Sequence, residues 1–436
     1  MNFISTRNIE KEYPFSEAVI KGLAEDGGLF FPKTIPKLPK EFFNTIEEKS
    51  FAQIAYEVSH IFVDDIPLEK LNSIIDEAIN FPAPVIKLSE NISILELFHG
   101  NTLAFKDFGA RFLAGVLSYY LKSEKKRCTI LVATSGDTGS AVASGFFNKE
   151  NIDVVLLYPS GKVSNIQEQQ LSTFGNNIFA FEVHGTFDDC QHLVKAAFLD
   201  KELIQDHFLT SANSINIGRL IPQSFYYFNA WKQTKKYSKD IIFVVPSGNL
   251  GNLTSGLIAK QMGLPVSYFV SALNRNDVFK KYLDTGEFTP VPSSRTISNA
   301  MDVGNPSNLE RIRYMFNDNI AQMKSNIHAY AFDDNETKSA IKKTYSEFNY
   351  ILDPHGAVGY LAAQKDKSLT ANKSHYIVLE TAHPAKFSEE SEQSVISKII
   401  IPPRLEEFLH KQKNSIKIGN EYEEFRDELI RIMDAR

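Results

Sequence analysis

Lys106 is the residue of this 436-residue chain best placed to act as a chemical nucleophile. It lies in the segment HGNTLAFKDFG, after an apolar run from 92 to 98 that predicts a strand. Apolar residues at helical spacing follow it, between 108 and 120. The carboxyl ends of parallel strands form ligand crevices in α/β proteins. Apolar neighbours and the positive end of a helix dipole both disfavour the ammonium form, so we expect a lowered pKa and a nucleophilic amine.

A glycine-rich turn further along the chain predicts a binding site for a phosphate group. The segment VPSGNLGNLT follows the strand-like run IIFVV and precedes an apolar stretch that predicts a helix. Two glycines let consecutive N–H groups point toward one anion, and a helix N-terminus adds partial positive charge. The turn has neither the Gly-Lys-Ser/Thr of a Walker A loop nor the G-x-G-x-x-G of a dinucleotide fingerprint. An ordinary glycine turn is the alternative interpretation, and the candidate phosphate-binding residues are Gly248, Asn249, Leu250, Gly251 and Asn252.

Two other strand ends carry polar side chains. The segment ATSGDTGSA follows the strand-like run TILVA and places Ser135, Asp137 and Thr138 where a helix should begin. These residues suit an anionic group, and simple N-capping is the alternative explanation. Thr381 follows the last strand-like run, YIVLE, and should open into the same crevice. We interpret the nearby His383 as a structural loop residue and not as a catalytic one.

Together these features indicate pyridoxal phosphate as the cofactor. This cofactor requires a lysine for its Schiff base, a cradle for its 5′-phosphate and a partner for its pyridine nitrogen. Lys106, the loop from 248 to 252 and Thr381 are residue types that meet these three needs.

Composition and charge exclude several other classes of protein. The formal net charge is −6 and the basic residues are scattered, which disfavours nucleic-acid binding and a basic membrane face. The two cysteines suit a reducing cytoplasm, and the N-terminal sequence has no signal-peptide pattern. No apolar run is long enough to span a bilayer. The dispersed histidines predict no metal site, and the lack of a G-x-S-x-G elbow disfavours a hydrolase.

From about residue 90 the chain alternates strand-like and helical stretches. This alternation predicts an α/β fold with parallel sheets flanked by helices, in two lobes that divide near 205–215. After the first strand at 92–98, strands are predicted at 129–133, 154–158, 179–183, 241–245, 266–270 and 376–380. The predicted domains are an appended N-terminal domain (1–85), a first α/β lobe with Lys106 and the SGDTG loop (86–210), a second α/β lobe with the glycine-rich loop (211–402) and a helical C-terminal tail (403–436).

A series of motifs resembles the threonine synthase family. The segments occur in that family's order and are LELFHGNTLAFKDFGARF, LVATSGDTGSAVA, SANSINIGRL, VPSGNLGNLTSGLIAK, NAMDVGNPSN and LETAHPAKF. The resemblance begins at EAVIKGLAEDGGLFFP and continues beyond residue 387, so it covers nearly the whole chain and is similar to the longer type with an extra N-terminal domain. It implies a fold-type-II pyridoxal phosphate enzyme with the active site between two α/β lobes.

The resemblance also implies a reaction and the roles of several residues. The implied reaction converts O-phospho-L-homoserine and water to L-threonine and phosphate, the last step of threonine biosynthesis. Lys106 matches the Schiff-base lysine, and Thr381 matches the hydroxyl at the pyridine nitrogen. The loop from 248 to 252 matches the cofactor-phosphate loop, where the family often reads GNFGD in place of the Leu250 and Asn252 found here. If backbone N–H groups make the contacts, neither departure weakens phosphate binding.

The substrate's own phosphate requires further cationic or polar partners. Arg111 lies one helical turn beyond Lys106, and Arg219 follows the polar run SANSINIG. For each arginine, a structural ion pair is the alternative interpretation. The predicted substrate-binding residues are Ser135, Asp137, Thr138, Arg111, Asn213, Ser214, Asn216 and Arg219.

Three competing functions remain open from the sequence. A dehydratase for serine or threonine, or a sulfur-transfer synthase, would share the lysine and the glycine-rich loop, but the near-complete motif series disfavours both. A phospho-lyase of the same lineage would release 2-oxobutyrate from phosphohomoserine without capturing water. A non-catalytic binding protein on the same scaffold is disfavoured because both the lysine and the loop are present.

Overall fold

The computed structural model describes residues 1–122, 127–238, 240–370, 374–388 and 399–436. Strands alternate with helices through most of the chain, as the sequence predicts. The strands are β1 Phe3–Ser5, β2 Asn8–Tyr13, β3 Phe30–Pro32, β4 Val85–Lys87, β5 Ile92–Glu96, β6 Cys128–Ala133, β7 Ile152–Pro159, β8 Ile178–Val183, β9 Phe208–Ser211, β10 Ile241–Pro246, β11 Phe269–Leu273, β12 Ile327–Ala331, β13 His375–Glu380 and β14 Ser415–Ile418.

The described helices are mostly short and amphipathic or fully buried. They are α1 Phe15–Lys21, α2 Lys40–Thr45, α3 Phe51–His60, α4 Leu68–Ala78, α5 Lys106–Leu121, α6 Asp137–Phe146, α7 Asn165–Ser172, α8 Phe187–Leu199, α9 Lys201–Asp206, α10 Ile217–Leu220, α11 Phe225–Thr234, α12 Gly251–Gln261, α13 Val278–Thr285, α14 Leu309–Met315, α15 Ile320–Asn326, α16 Asp334–Phe348, α17 Pro354–Thr370, α18 Pro403–Leu409 and α19 Tyr422–Asp434. Short 3₁₀ turns occupy Ile46–Glu48, Ile221–Ser224, Asn299–Met301 and Pro384–Phe387.

Two large sheets form the centres of the two lobes. The first has the strand order β12-β11-β10-β13-β5-β4 and is parallel except for the antiparallel pair β4–β5. The second has the order β14-β8-β7-β6-β9 and is wholly parallel. A small antiparallel sheet, β2-β1-β3, belongs to the N-terminal region. The predicted fold class, an α/β protein with two lobes and an N-terminal domain, is confirmed.

The central strands are apolar on both faces because helices cover both sides of each sheet. Every residue of β6, β7, β10 and β13 is buried, which is the pattern of strands inside parallel sheets. Several flanking helices begin at capping boxes, including those at Ser50, Ser164 and Thr186. These local start signals and the continuous apolar strands therefore favour the same alternating architecture.

The segments that form each sheet do not follow the boundaries of the predicted lobes. β5 lies within the predicted first lobe but pairs with β13 in the six-stranded sheet. β14 lies within the predicted helical tail but pairs with β8, so this tail contains a strand as well as two helices. The predicted strand at 266–270 is displaced to β11, because Val266 is still in a turn in which its N–H bonds to the carbonyl of Leu264. Both lobes are thus built from segments distant in sequence.

The N-terminal domain packs directly on helices that border the site. α4 lies against α5, and α3 lies against α11. The buried guanidinium of Arg311 donates to the carbonyl of Phe30 in β3, at 2.9 and 3.1 Å.

No helix among the described residues is both long and apolar enough to cross a membrane. Over the same residues, no group of three or more His, Cys, Asp or Glu side chains is arranged to hold a metal ion.

Candidate active site

Lys106 is the first residue of α5, and the loop before it is bonded to the segment that follows β13. The N–H of Phe105 donates to the carbonyl of Thr381 at 2.8 Å, and the N–H of His383 donates to the carbonyl of Leu103 at 3.0 Å. β5 and β13 are parallel neighbours, so the segments after both strands emerge at the same edge of the sheet. The fold therefore brings Lys106 and Thr381 to one place despite their distance in sequence.

Asp107 fixes the turn that precedes Lys106. Its fully buried carboxylate accepts hydrogen bonds from the N–H of Thr102 at 2.8 Å and from the hydroxyl of the same residue at 2.7 Å. Burial raises the pKa of Asp107 above its usual range. This structural role is local and was not predicted from the sequence.

The amine of Lys106 lies in a buried environment that contains two other cations. Burial lowers the pKa of Lys106 from 10.5 to about 8. The carboxylate of Asp137 opposes this shift, whereas the charges of Arg219 and Lys386 contribute to it. The direction agrees with the expectation from sequence, with desolvation as the main cause. With this pKa, about a tenth of the amine is neutral at pH 7.

The predicted phosphate loop joins β10 to α12 and approaches a neighbouring turn closely. A Cβ on Gly248 would lie 2.8 Å from Met301 Cα and 2.9 Å from the carbonyl oxygen of Ala300, so this position requires glycine. Leu250 has a left-handed φ of 59°, and α12 begins at the next residue without a capping side chain from the described part of the chain. The N–H groups of the first turn are therefore available to an anion.

Asn252 presents a buried hydrogen-bond donor at this loop. Its Oδ1 accepts hydrogen bonds from the hydroxyls of Tyr226 at 2.7 Å and Tyr227 at 2.6 Å. Its Nδ2 has no hydrogen-bond partner among the described residues. Because an unpaired buried donor is destabilising, the amide is suited to an acceptor that enters from the cavity. Thus Asn252, whose lack of charge distinguishes it from the Asp frequent in the family, adds a donor to the loop.

The start of α6 in the SGDTG loop is capped by Thr134, which was not predicted from the sequence. The hydroxyl of Thr134 accepts hydrogen bonds from the N–H groups of Gly136 at 3.0 Å and Gly139 at 2.8 Å. None of Ser135, Asp137 or Thr138 donates or accepts a side-chain capping bond at this helix within the described residues. Thr134 was missed because it reads as the end of a strand.

Arg219 and Arg111, the two predicted substrate arginines, lie in different surroundings. Arg219 is buried beside the cavity, where one guanidinium nitrogen donates to the carbonyl of Ala212 at 2.6 Å. Its Nε has no hydrogen-bond partner among the described residues, and the charge of Asp107 acts on the guanidinium. Arg111 does not line the cavity and instead donates to Asn101 and to the carbonyl of Glu77. The prediction of Arg111 as a substrate residue is therefore not supported by its position.

The polar SANSINIG segment divides between the cavity and the N-terminal domain. Ser214 accepts a hydrogen bond from Asn249 Nδ2 at 2.8 Å, and Asn213 donates to the carbonyl of Ala133 at 3.0 Å. Asn216 is fully buried away from the cavity, where its Nδ2 donates to the carbonyl of Val19 at 2.9 Å. Because its Oδ1 also caps α10, Asn216 has a structural position and not a substrate-facing one.

A buried carboxyl–histidine group next to the cavity was missed from the sequence. His355 lines the cavity, its Nδ1 bonds to Asp353, and its Nε2 accepts from the N–H of Ala300 at 3.2 Å. The fully buried Glu380 contacts Asp353, whose N–H donates to Glu380 Oε1 at 2.6 Å. Burial and the charge of Asp353 raise the pKa of Glu380 well above its usual range. The DPHG segment was the available signal, but no motif considered from the sequence contains it.

These elements surround a cavity of about 130 Å³ between the two lobes. Arg111, Asp137 and Asn216 do not line it, although the Asp137 carboxylate interacts electrostatically with Lys106. The other predicted site residues all line it, namely Lys106, Ser135, Thr138, Asn213, Ser214, Arg219, Gly248, Asn249, Leu250, Gly251, Asn252 and Thr381.

The residues around the cavity fit pyridoxal phosphate. An uncapped helix start and the unpaired Nδ2 of Asn252 provide donors for a phosphate group. Lys106 provides an amine of lowered pKa, and Thr381 places a hydroxyl-bearing side chain on the cavity wall. The donor set is thus complementary to the anionic, aldehyde-bearing cofactor that the sequence indicates.

Three family models match the chain and together cover most of its length. The model described as threonine synthase N terminus matches residues 2–79, and that described as threonine synthase, C-terminal matches 356–428. The model described as pyridoxal-phosphate dependent enzyme matches residues 81–381. The match to the pyridoxal-phosphate dependent enzyme model alone spans more than half of the chain, and it supports both the fold type and the cofactor.

Known proteins resemble this chain over almost its full length. A threonine synthase from Haemophilus influenzae is 42% identical, with 99% of this chain and 100% of that protein covered. The crystal structure of threonine synthase from Escherichia coli has a TM-score of 0.93 at 39% identity, covering 99% of this chain and 100% of that one. The structure of PLP-bound threonine synthase from Brucella melitensis has a TM-score of 0.92 at 32% identity, with 99% of each chain covered.

Proposed function

The chain belongs to the threonine synthase family, and on this premise we propose that it converts O-phospho-L-homoserine and water to L-threonine and phosphate. The observation that carries this proposal is one cavity that combines the Lys106 amine with two further side chains suited to anions. These side chains are Asn252 in the glycine-rich loop, whose Nδ2 has no partner among the described residues, and the buried Arg219 in α10. A reaction between a phosphorylated cofactor and a phosphorylated substrate requires two anion-binding positions.

We assign the cofactor to the side of the cavity formed by Lys106, the loop 248–252 and Thr381. When bound, pyridoxal phosphate supplies an electron sink that stabilises negative charge at the substrate carbons. Gly248, the N-terminus of α12 and Asn252 Nδ2 would hold the cofactor's phosphate. Thr381, which lines the cavity, would supply a hydroxyl partner for the pyridine nitrogen. A hydroxyl cannot protonate this nitrogen as a carboxylic acid can, which moderates the electron sink and limits side reactions.

Lys106 also acts as the general base in this proposal. Its neutral Nζ removes a proton from the substrate's Cα and then one from Cβ, and returns a proton to Cγ after phosphate has left that carbon. Water then adds its oxygen at Cβ and a proton returns to Cα, so that hydrogen replaces the phosphate on Cγ and Cβ carries the new hydroxyl group. A pKa of about 8 lets the same amine accept and donate protons near neutral pH.

Arg219 holds the leaving phosphate. A guanidinium gives charge-assisted hydrogen bonds to phosphate oxygens, and its burial strengthens these bonds by excluding water. Asn213, Ser214, Ser135 and Thr138 provide additional polar groups on the same cavity wall. Asp137 acts through charge, because it neighbours Lys106 without lining the cavity.

A direct assay tests the function. Purified protein is incubated with pyridoxal phosphate and O-phospho-L-homoserine, and phosphate, threonine and 2-oxobutyrate are measured together. Equal amounts of phosphate and threonine support the proposal. Phosphate with 2-oxobutyrate identifies the phospho-lyase, and the absence of phosphate release favours a non-catalytic scaffold. Lys106→Ala is the matched negative control.

We further propose that the protein acts in the cytoplasm. Both of its cysteines, Cys128 and Cys190, are free and buried, which suits a reducing compartment.

A further inference from the structure

Lys386 is a second buried lysine near the cavity, and the proposed reaction does not use it. It lies in the 3₁₀ turn Pro384–Phe387, and its side chain is wholly inaccessible to solvent. Its Nζ donates to Asp137 Oδ1 at 2.7 Å and to the carbonyl of Thr102 at 2.9 Å. A buried ammonium is strongly destabilising unless it is paired. Even when it is paired, the removal of both charges from water remains unfavourable.

Asp137 is the carboxylate shared by the two buried amines. It pairs directly with Lys386, accepts a second bond from Gln167 Nε2 at 3.0 Å, and interacts through its charge with Lys106. The cations hold the pKa of Asp137 well below its usual range despite burial. Without Lys386, the remaining cation with which Asp137 interacts most strongly would be Lys106. That interaction would favour the ammonium form of the catalytic amine.

We propose that Lys386 is a positioning residue that binds and neutralises Asp137, so that Asp137 does not become the counterion of Lys106 and the Lys106 amine stays available as a neutral base. The inference rests on the proposed role of Lys106 as the base of the reaction. Lys386 does not line the cavity, so it acts on the reaction only through Asp137 and through its own charge.

Lys386 is the lysine that pairs directly with Asp137, and the other charged groups near the two amines have different partners. Lys106 is influenced by Asp137 of α6, Arg219 of α10 and Lys386 of the 3₁₀ turn. The other carboxyl that faces these cations is Asp107, which already accepts two hydrogen bonds from Thr102. Asp107 is therefore held by its own turn and does not replace Asp137 as the partner of Lys386.

The test measures the ionisation of Lys106 in the cofactor-free protein. Trace acetic anhydride acetylates only neutral amines, and mass spectrometry of the Lys106 peptide at several pH values gives the midpoint for this residue. Lys386→Gln keeps a hydrogen-bond donor but removes the charge. We expect the midpoint of Lys106 to rise by about one pH unit or more in this variant. Acetylation of Lys106 at pH 7 should then fall about tenfold.

A double variant separates the charge of Lys386 from a purely structural contribution. Adding Asp137→Asn to Lys386→Gln removes the anion as well, and the midpoint should return toward that of the wild type. A return supports the proposal. Failure of the midpoint to return shows that Lys386 does not act through Asp137, and an unchanged midpoint in the single variant overturns the proposal outright. Lys386→Met gives the same comparison if the Gln variant does not fold.

Lys149→Met is the matched control, because Lys149 is a partly exposed lysine that pairs with Glu77 and does not line the cavity. It should leave the Lys106 midpoint unchanged, and peptides with exposed lysines serve as internal standards in every digest. The measurement needs neither cofactor nor substrate. Its failure therefore contradicts the role of Lys386 alone, whereas a failure of the proposed function appears in the product assay.

Discussion

Replacement of Arg219 by methionine should weaken substrate binding without destabilising the cofactor-free protein. Burial lowers the pKa of Arg219 from 12.5 to about 10. At about 1.4 kcal/mol per pH unit, the buried charge destabilises the folded state by about 3 kcal/mol at neutral pH. The variant loses one charge-assisted bond to the carbonyl of Ala212, a loss of about 2 kcal/mol. The net change in the free energy of unfolding should therefore lie between zero and a gain of about 1 kcal/mol.

The effect on binding should have the opposite sign. A lost charge-assisted bond to a phosphate is worth about 2 kcal/mol, or about a thirtyfold rise in KM for O-phospho-L-homoserine. Two measurements test the predicted effects on stability and on substrate binding. Thermal melting of the cofactor-free protein reports stability, with and without inorganic phosphate, and steady-state kinetics reports KM and kcat. Phosphate should raise the melting temperature of the wild type more than that of Arg219→Met.

Arg111→Met is the control for these experiments, because Arg111 is an arginine outside the cavity. Its KM should stay within about twofold of the wild type. The reasoning is refuted if Arg219→Met unfolds at a much lower temperature while its KM is unchanged. That result would assign Arg219 to the structure alone.

Three further predictions concern the protonation states and donors around the cavity. Lys106 must be neutral to act as a base, so kcat should rise as the pH increases toward about 8 and then level off; a flat profile from pH 6 to 9 would contradict this role. Tyr227→Phe removes one of the two hydroxyls that orient Asn252, and the dissociation constant of pyridoxal phosphate, measured by equilibrium dialysis, should rise up to about tenfold. The protonated Glu380 beside Asp353 contributes stability that is complete below pH 4.5 and declines as the pH rises toward its raised pKa. Glu380→Gln should abolish that decline in melting experiments between pH 5 and 9, and an unchanged pH dependence would exclude this assignment.

The sequence was a good guide to the strands at the centre of each sheet and a poor one to those at the margins. β6, β7, β10 and β13 are fully buried and mostly apolar, because both of their faces are covered, and all four were predicted within two residues. β12 has a largely half-buried pattern and lies at a sheet edge, so its sequence gives only a weak strand signal. The pairing of β5 with β13 depends on contacts between distant segments, which periodicity does not encode.

Candidate site residues were predictable where they follow a strand directly. Lys106 and Thr381 could be placed because the edge of a parallel sheet collects the residues after its strands. Arg111 and Asn216 do not line the cavity, because sequence spacing does not determine on which side of a helix or loop a side chain ends. Lys386 was not considered because its importance depends on a pairing with Asp137, which is remote in sequence.

The surplus of cations around the cavity connects stability to function. The carboxylate of Asp137 interacts with Lys106 and Lys386, whereas the charge of Asp107, whose pKa burial raises, acts on Arg219. Burial, and after it repulsion from Arg219 and Lys386, lowers the pKa of Lys106, which the proposed reaction requires. The same repulsion destabilises the empty site and is relieved when phosphate groups enter. In the proposed reaction the same buried cation therefore binds a ligand and prepares the base, and removing Arg219 should weaken substrate binding and raise the pKa of Lys106 together.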